Sequence, residues 1–335
     1  MNRYRSEDYL YISGYLKSRE KYFLNREKTE KMLDSKTPDE AMKVMDELDY
    51  DYGSEELSPS EFETMLAYEL KATYDFLLPL APEPEYILVF LYPNDYQNIK
   101  LLLKAEFLGI SADDYLIGAC SIPLDELKAM LRNRSYSEMS TEMAGAVQEA
   151  IETYGTTKDP QQIDLILDRA CYRDINSELS KHRHDFVRGY FARKIDTINL
   201  KSFVRVKGIG KQKEFFSKAF IEGGIVPGEL FIENYDESPE QFADKLAIYG
   251  LDSFLREGAA MIRETGRFTA LERLCDDLLM EYVRAAKYIP YGIEPLISYL
   301  VAKESELKTL RIIMTGKLAN IPTDIIRKRI RSTYA

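Results

Sequence analysis

Apolar positions along this chain recur mostly at three-or-four spacing. Ser58-Pro-Ser-Glu61 reads as a helix start, with Pro at the first helical position and an acid three residues after the Ser. Behind it Phe62, Met65, Leu66, Leu70, Thr73, Tyr74 and Leu77 form one stripe, which Pro79 is expected to end. A second stripe runs through Phe268, Leu271, Leu274, Leu278, Tyr282 and Ala286 and stops at Pro290. Strand signals are thin. The run Tyr86-Ile-Leu-Val-Phe-Leu-Tyr92 is ambiguous by periodicity, and nothing resembles a string of hairpins. The pattern predicts an all-α chain.

The same pattern contains an internal repeat. Asp95-Tyr-Gln-Asn-Ile-Lys-Leu-Leu, Asp196-Thr-Ile-Asn-Leu-Lys-Ser-Phe and Glu306-Leu-Lys-Thr-Leu-Arg-Ile-Ile match position by position from the acid. Offset 3 is Asn98, Asn199 and Thr309; offset 4 is Ile99, Leu200 and Leu310; offset 7 is Leu102, Phe203 and Ile313. Offset 14 is Gly109, Gly210 and Asn320, residue types that end helices in a left-handed conformation. One such match would only restate amphipathicity. Agreement at six offsets, with the acids 101 and 110 residues apart, predicts one domain of three helical units (approximately 1–110, 111–211 and 212–335) around a pseudo-threefold axis. Offset 5 is basic each time, Lys100, Lys201 and Arg311. On a helix it lies about 140° from the acid and off the apolar stripe, so these three are read as offering positive charge to a partner or a neighbouring unit.

Charge narrows the function. With 45 basic against 56 acidic residues the chain carries −11, the wrong balance for gripping nucleic-acid phosphates. Three dispersed cysteines, Cys120, Cys171 and Cys275, suit a reduced compartment and offer no zinc site. No run approaches the roughly 20 apolar residues of a spanning helix, and Met1–Asp8 lacks a signal peptide's apolar region, so a cytoplasmic chain without direct membrane insertion is expected. Acids crowd Asp39–Glu63, whereas Arg327, Lys328, Arg329 and Arg331 make the end basic; each reads as solvated surface before it reads as a docking face.

Candidate chemistry is sparse. The histidines of Lys181-His-Arg-His-Asp185 would point about 200° apart on a helix and have no third ligand of matching pattern beyond Asp185, so they read as solvated helix surface. Gly208-Ile-Gly-Lys211 lacks the upstream glycine and following Ser or Thr of a P-loop, and reads as a helix–helix turn rather than a DNA-binding hairpin. Asp276-Asp277-Leu-Leu-Met-Glu281 approaches the Mg-diphosphate motif of all-α prenyl-transfer enzymes. The fifth position is Met280, however, and no second acidic motif accompanies it. An Mg-dependent prenyl-transfer enzyme using Asp276, Asp277 and Glu281 is the alternative reading. Otherwise no catalytic, cofactor or metal residues are expected.

Tyr92-Pro-Asn-Asp-Tyr-Gln-Asn-Ile-Lys-Leu-Leu-Leu-Lys-Ala105 and Gly292-Ile-Glu-Pro-Leu-Ile-Ser-Tyr-Leu-Val-Ala-Lys-Glu-Ser-Glu-Leu-Lys-Thr-Leu-Arg311 resemble two signatures of the C subunit (called d in eukaryotes) of the vacuolar/archaeal-type rotary ATPase. Tyr11-Ile-Ser-Gly-Tyr-Leu-Lys-Ser-Arg19 is similar to that family's first helix. The resemblance implies a funnel of three helical units. It would be a non-catalytic socket, peripheral to the cell membrane, that joins the shaft subunits D and F to the proteolipid ring and couples ATP turnover to proton or sodium transport. Thr309 and Asn320 in the third unit depart from the Asn and Gly of the other two.

Overall fold

The computed structural model describes residues 6–48, 50, 58–182 and 184–334, and among them every regular element is helical. Residues 1–84 together with 257–335 form one compact unit, and residues 85–256 form another. The first opens with α1 (Leu10–Arg19), α2 (Arg26–Asp34), α3 (Pro38–Met45) and α4 (Phe62–Leu80). The second holds α5 (Glu85–Leu88), α6 (Tyr92–Leu108), α7 (Leu124–Asn133), α8 (Thr141–Thr157), α9 (Pro160–Lys181), α10 (Asp185–Gly208), α11 (Lys213–Ala219), α12 (Gly228–Glu233) and α13 (Pro239–Leu246). After α14 (Asp252–Thr265) the chain re-enters the first unit as α15 (Thr269–Arg284), α16 (Ile293–Leu318) and α17 (Thr323–Arg327). No described helix is long and apolar enough to cross a membrane.

Local chemistry sets the helix starts. The side chains of Asn25, Thr37, Ser140, Asp159 and Ser238 each accept a backbone N–H from the first turn they open. The capping box at Ser58 and Glu61 forms as its spacing predicts. Two expectations shift. Pro79 does not stop α4, which continues to Leu80, because its ring occupies the last turn. In α15 the buried stripe is Leu271, Cys275, Leu279, Met280 and Val283, rotated from the expected one, with Leu274, Leu278 and Tyr282 only half-buried along its border. The ambiguous run at 86–92 becomes α5, a turn and the first residue of α6.

α16 is buried on nearly every side, as expected of a helix with apolar residues all round. Leu307, Leu310, Ile313 and Met314 meet Met32 and Leu33 of α2, Val44 and Met45 of α3, and Met65 and Leu66 of α4 in one core. In the second unit Phe203 of α10 is the centre of an aromatic cluster. Its ring lies 4.7–5.9 Å from those of Phe216, Phe231, Tyr235 and Phe242. These rings close the segment after α10 over the helix.

Candidate functional site

The three repeated acids are all buried, and each fastens the start of another helix. Asp95 Oδ1 accepts the N–H groups of Ser121 (2.9 Å) and Ile122 (3.3 Å), just before the Pro123 cap of α7. Asp196 accepts those of Ile225 (3.0 Å) and Val226 (3.1 Å), just before the Pro227 cap of α12. Glu306 Oε2 accepts the N–H of Leu24, just before the Asn25 cap of α2. The third loop comes from 282 residues earlier in the chain, so the N-terminal segment supplies what the following residues supply to Asp95 and Asp196. Buried charge-assisted hydrogen bonds of this kind contribute about 1.5–3 kcal/mol each.

The neighbouring offsets extend the match. Asn98 donates to Ile117 O (3.0 Å) and accepts Ile117 N–H (2.8 Å); Asn199 does the same with Ile221, at 2.8 and 2.9 Å. Thr309 is too short for such a bridge and instead donates to Ser305 O in its own helix. Gly109, Gly210 and Asn320 all take left-handed φ, +67°, +69° and +51°. In each case the next N–H reaches a carbonyl five residues back, Ala105, Val206 or Gly316, the closed end that offset 14 predicts.

Burial pushes the carboxyls of Asp95 and Asp196 up to about 6, although the N–H groups they accept pull the other way. The Glu306 site is more charged. Lys303, 5% exposed, bridges Glu306 (2.9 Å) and Glu69 of α4 (3.1 Å), and Tyr50 donates to Glu306. Its ammonium also lies over the rings of Tyr50 and Phe23, at 4.6 and 5.3 Å. Burial lowers the Lys303 pKa, but the two carboxylates outweigh it and hold the ammonium charged; burial raises that of Glu69. Beside Glu69 opens a cleft of about 570 Å³ lined by Tyr15, Arg19, Tyr50, Phe76 and Tyr299. Sequence reasoning missed this cluster. Its signal was the Lys303-x-x-Glu306 spacing on a stretch too apolar to be a solvated face.

The offset-5 residues have three different surroundings. Lys100, 13% exposed at its side chain, pairs with Asp168 of α9 at 2.6 Å. Arg311, 48% exposed, forks onto both oxygens of Glu63 at 2.9 Å. Lys201 is half-buried and makes no ion pair among the described residues.

His182 and His184 are not helix surface: they lie in the link between α9 and α10, each ring edge-on to buried Tyr86 at 5.8 Å. Asp276 and Asp277 are not diffuse surface acids. Arg331 (2.9 Å) and Lys308 (3.6 Å) meet Asp276, while Arg273 (3.5 Å) and the N–H of Ser332 (2.7 Å) meet Asp277. Glu281 is exposed. The acids that a prenyl-transfer enzyme would aim at magnesium thus tether the C-terminal segment. Gly208–Lys211 is the end of α10 and its turn. Of the acidic stretch, Asp49, Asp51, Glu55 and Glu56 lie outside the described residues; Glu47 pairs with Lys31, and Glu63 with Arg311. From the basic end Arg327 pairs with Glu30 (2.6 Å) and Asp34 (3.6 Å). Among the described residues no three His, Cys, Asp or Glu stand together as a metal would require.

Comparison with known proteins agrees along nearly the whole chain. The family model described as ATP synthase (C/AC39) subunit matches residues 12–329. The C subunit of the Methanocaldococcus jannaschii A-type ATP synthase is similar at 23% identity, over 97% of this chain and 86% of its own. The C subunit of the Enterococcus hirae V-type sodium ATPase is similar at 23% identity over 98% and 99%. That of the Methanosarcina acetivorans A-type ATP synthase shows 27% over 85% and 80%.

Proposed function

The chain belongs to the ATP synthase (C/AC39) subunit family, and from that membership we propose that it is the non-catalytic coupler of a rotary ATPase. In this reading it is a socket that links the central shaft, subunits D and F, to the proteolipid ring. It passes torque between ATP turnover and proton or sodium transport, and sits on the cytoplasmic side, peripheral to the membrane. The observation that supports the reading is a long helix, here called a hub helix, with a buried acid fourteen residues ahead of a left-handed stop, made three times. A part that transmits torque needs helices whose ends cannot slide. Buried carboxylates gripping backbone N–H groups resist such motion, because displacement leaves a desolvated charge unpaired. Three units near residues 1–110, 111–211 and 212–335, disposed as a funnel, belong to the same proposal.

Contacts with shaft and ring would be broad, since stable interfaces bury on the order of 1,600 Å². Lys100, Lys201 and Arg311 are proposed to add positive charge to them. Replacement of all three by Glu should weaken assembly in a salt-dependent way; unchanged assembly refutes that assignment. For the coupler itself, ATPase preparations depleted of the chain should hydrolyse ATP but lose ion transport, and re-addition should restore it. Normal pumping per ATP without the chain would overturn the reading.

A further inference from the structure

Besides the basic end at Arg327–Arg331, the acidic excess of this chain reverses sign between Lys201 and Lys218. From Lys201 to Lys218 stand Lys201, Arg205, Lys207, Lys211, Lys213 and Lys218 against a single acid, Glu214, a local +5 in a chain of −11. The segment runs from the last turns of α10 through the Ile209–Gln212 turn into α11. The fold accounts for part of this charge. Arg205 and Lys207 lie in the last turn of α10, where the helix field favours cations, and Lys207 donates to the carbonyls of Tyr235 and Glu237. Lys218 ends α11 in the same sense.

Lys211 and Lys213 have no such account. Both are exposed, and Lys213 occupies the first position of α11, where the helix field disfavours a cation. Among the described residues Lys211, Lys213 and Lys218 form no ion pair. Asp159 lies within electrostatic reach of Lys211. It is held by the Gln162 side chain and the Gln161 N–H, and Lys211 adds a weaker attraction. Two residues before Lys211, Ile209 is 60% exposed, on a turn made possible by the left-handed Gly210. Lys211 lies 5.6 Å over the ring of Phe215. The feature is an exposed apolar side chain on a turn, followed in the chain by three exposed lysines. A protein partner would have to supply a matching acidic pocket. A headgroup layer supplies anions in one plane and yields to a single apolar side chain.

We propose that this tip makes a peripheral contact with anionic phospholipid. Lys211, Lys213 and Lys218 meet headgroup phosphates, and Ile209 seats at headgroup level. No spanning helix is involved, and the assignment does not depend on the coupler reading. The test is co-sedimentation of the full chain with phosphatidylglycerol/phosphatidylcholine vesicles and with phosphatidylcholine vesicles. Binding is expected to the first only, and to be lost at high salt. Each lysine near an anionic surface contributes about a fivefold factor, so K211Q/K213Q/K218Q should weaken binding on the order of 100-fold. Ile209→Ser should weaken it further without altering the salt dependence. A control, K31Q/K71Q/K128Q, removes the same charge from exposed ion pairs elsewhere and should bind like the parent. Circular dichroism verifies that the variants fold. Failure to bind anionic vesicles, equal loss in the control, or binding to polyglutamate with no binding to vesicles would each overturn the proposal.

Discussion

At the scale of single residues, buried acids are the unusual feature, and they give measurable handles. Asp95 and Asp196 titrate near 6 in the fold because burial raises them, against an ordinary value of 3.8. A folded pKa above the unfolded one means that the native state holds its proton longer. The stability these two groups allow is therefore greatest below about pH 4 and falls as pH rises towards about 6, by about 3 kcal/mol per site. D95N keeps one oxygen for both N–H donors of its loop and removes the titration at that site. Urea midpoints of parent and variant should diverge across that window, and parallel curves would refute the assignment. Lys303 offers a sharper case. Lys303→Met strands Glu69 and Glu306 in the core and should cost about 3–5 kcal/mol, whereas K303M/E69Q/E306Q should regain most of it. Equal urea midpoints for the two variants would show that the cluster does not hold its charges as described.

Among elements, the hub helices show how backbone constraints follow from side-chain anchors. Gly224 lies against Asp196, and a Cβ there would run into the carboxylate, so the loop reaches its anchor only with glycine. Gly224→Ala should destabilise by roughly 1–3 kcal/mol in thermal unfolding, and D196A should relieve part of that cost. At the opposite end Gly109→Ala and Gly210→Ala should each cost about 1–2 kcal/mol through their left-handed φ, while Asn320→Gly should be neutral or slightly stabilising. Matching melting shifts at the first two, absent at a helical glycine such as Gly145, would bear out the common stop. These stops were legible because glycine type and position answer to local backbone sterics. The buried face of α15 was misread by about one position. Leu274 and Leu278 are as apolar as Leu271 and Leu279, so composition alone does not choose the face, and the partners of Asp276 and Asp277 on this helix, Arg331, Lys308 and Ser332, are distant in sequence.

Within the first compact unit, the segment before α2 and the segment after α17 meet each other and reach α15 and α16. Leu24 bonds Glu306, Tyr334 packs edge-on to Phe23 at 5.9 Å, and Arg331 reaches Asp276. Removing residues 331–335 should strip Asp276 of Arg331 and Asp277 of the Ser332 N–H and lower the melting temperature. Amide exchange should quicken in α15 and near Leu24, while residues 85–256 keep parent rates; uniform acceleration would contradict a tether confined to this unit. The linear pattern was enough for helix content, the repeated acid and the left-handed stops. All of these depend on side-chain type at a local spacing. It did not yield the partner of each acid. Asp95 and Asp196 close on loops 26–30 residues ahead, but Glu306 turns back across 282 residues. Nor did it yield the pairings of Lys100 and Arg311, or Lys303 as a core residue. Hydrophobic periodicity records which face a helix buries but not what it is buried against. The fate of a charge depends on whether the fold brings an opposite one within reach after water has been removed.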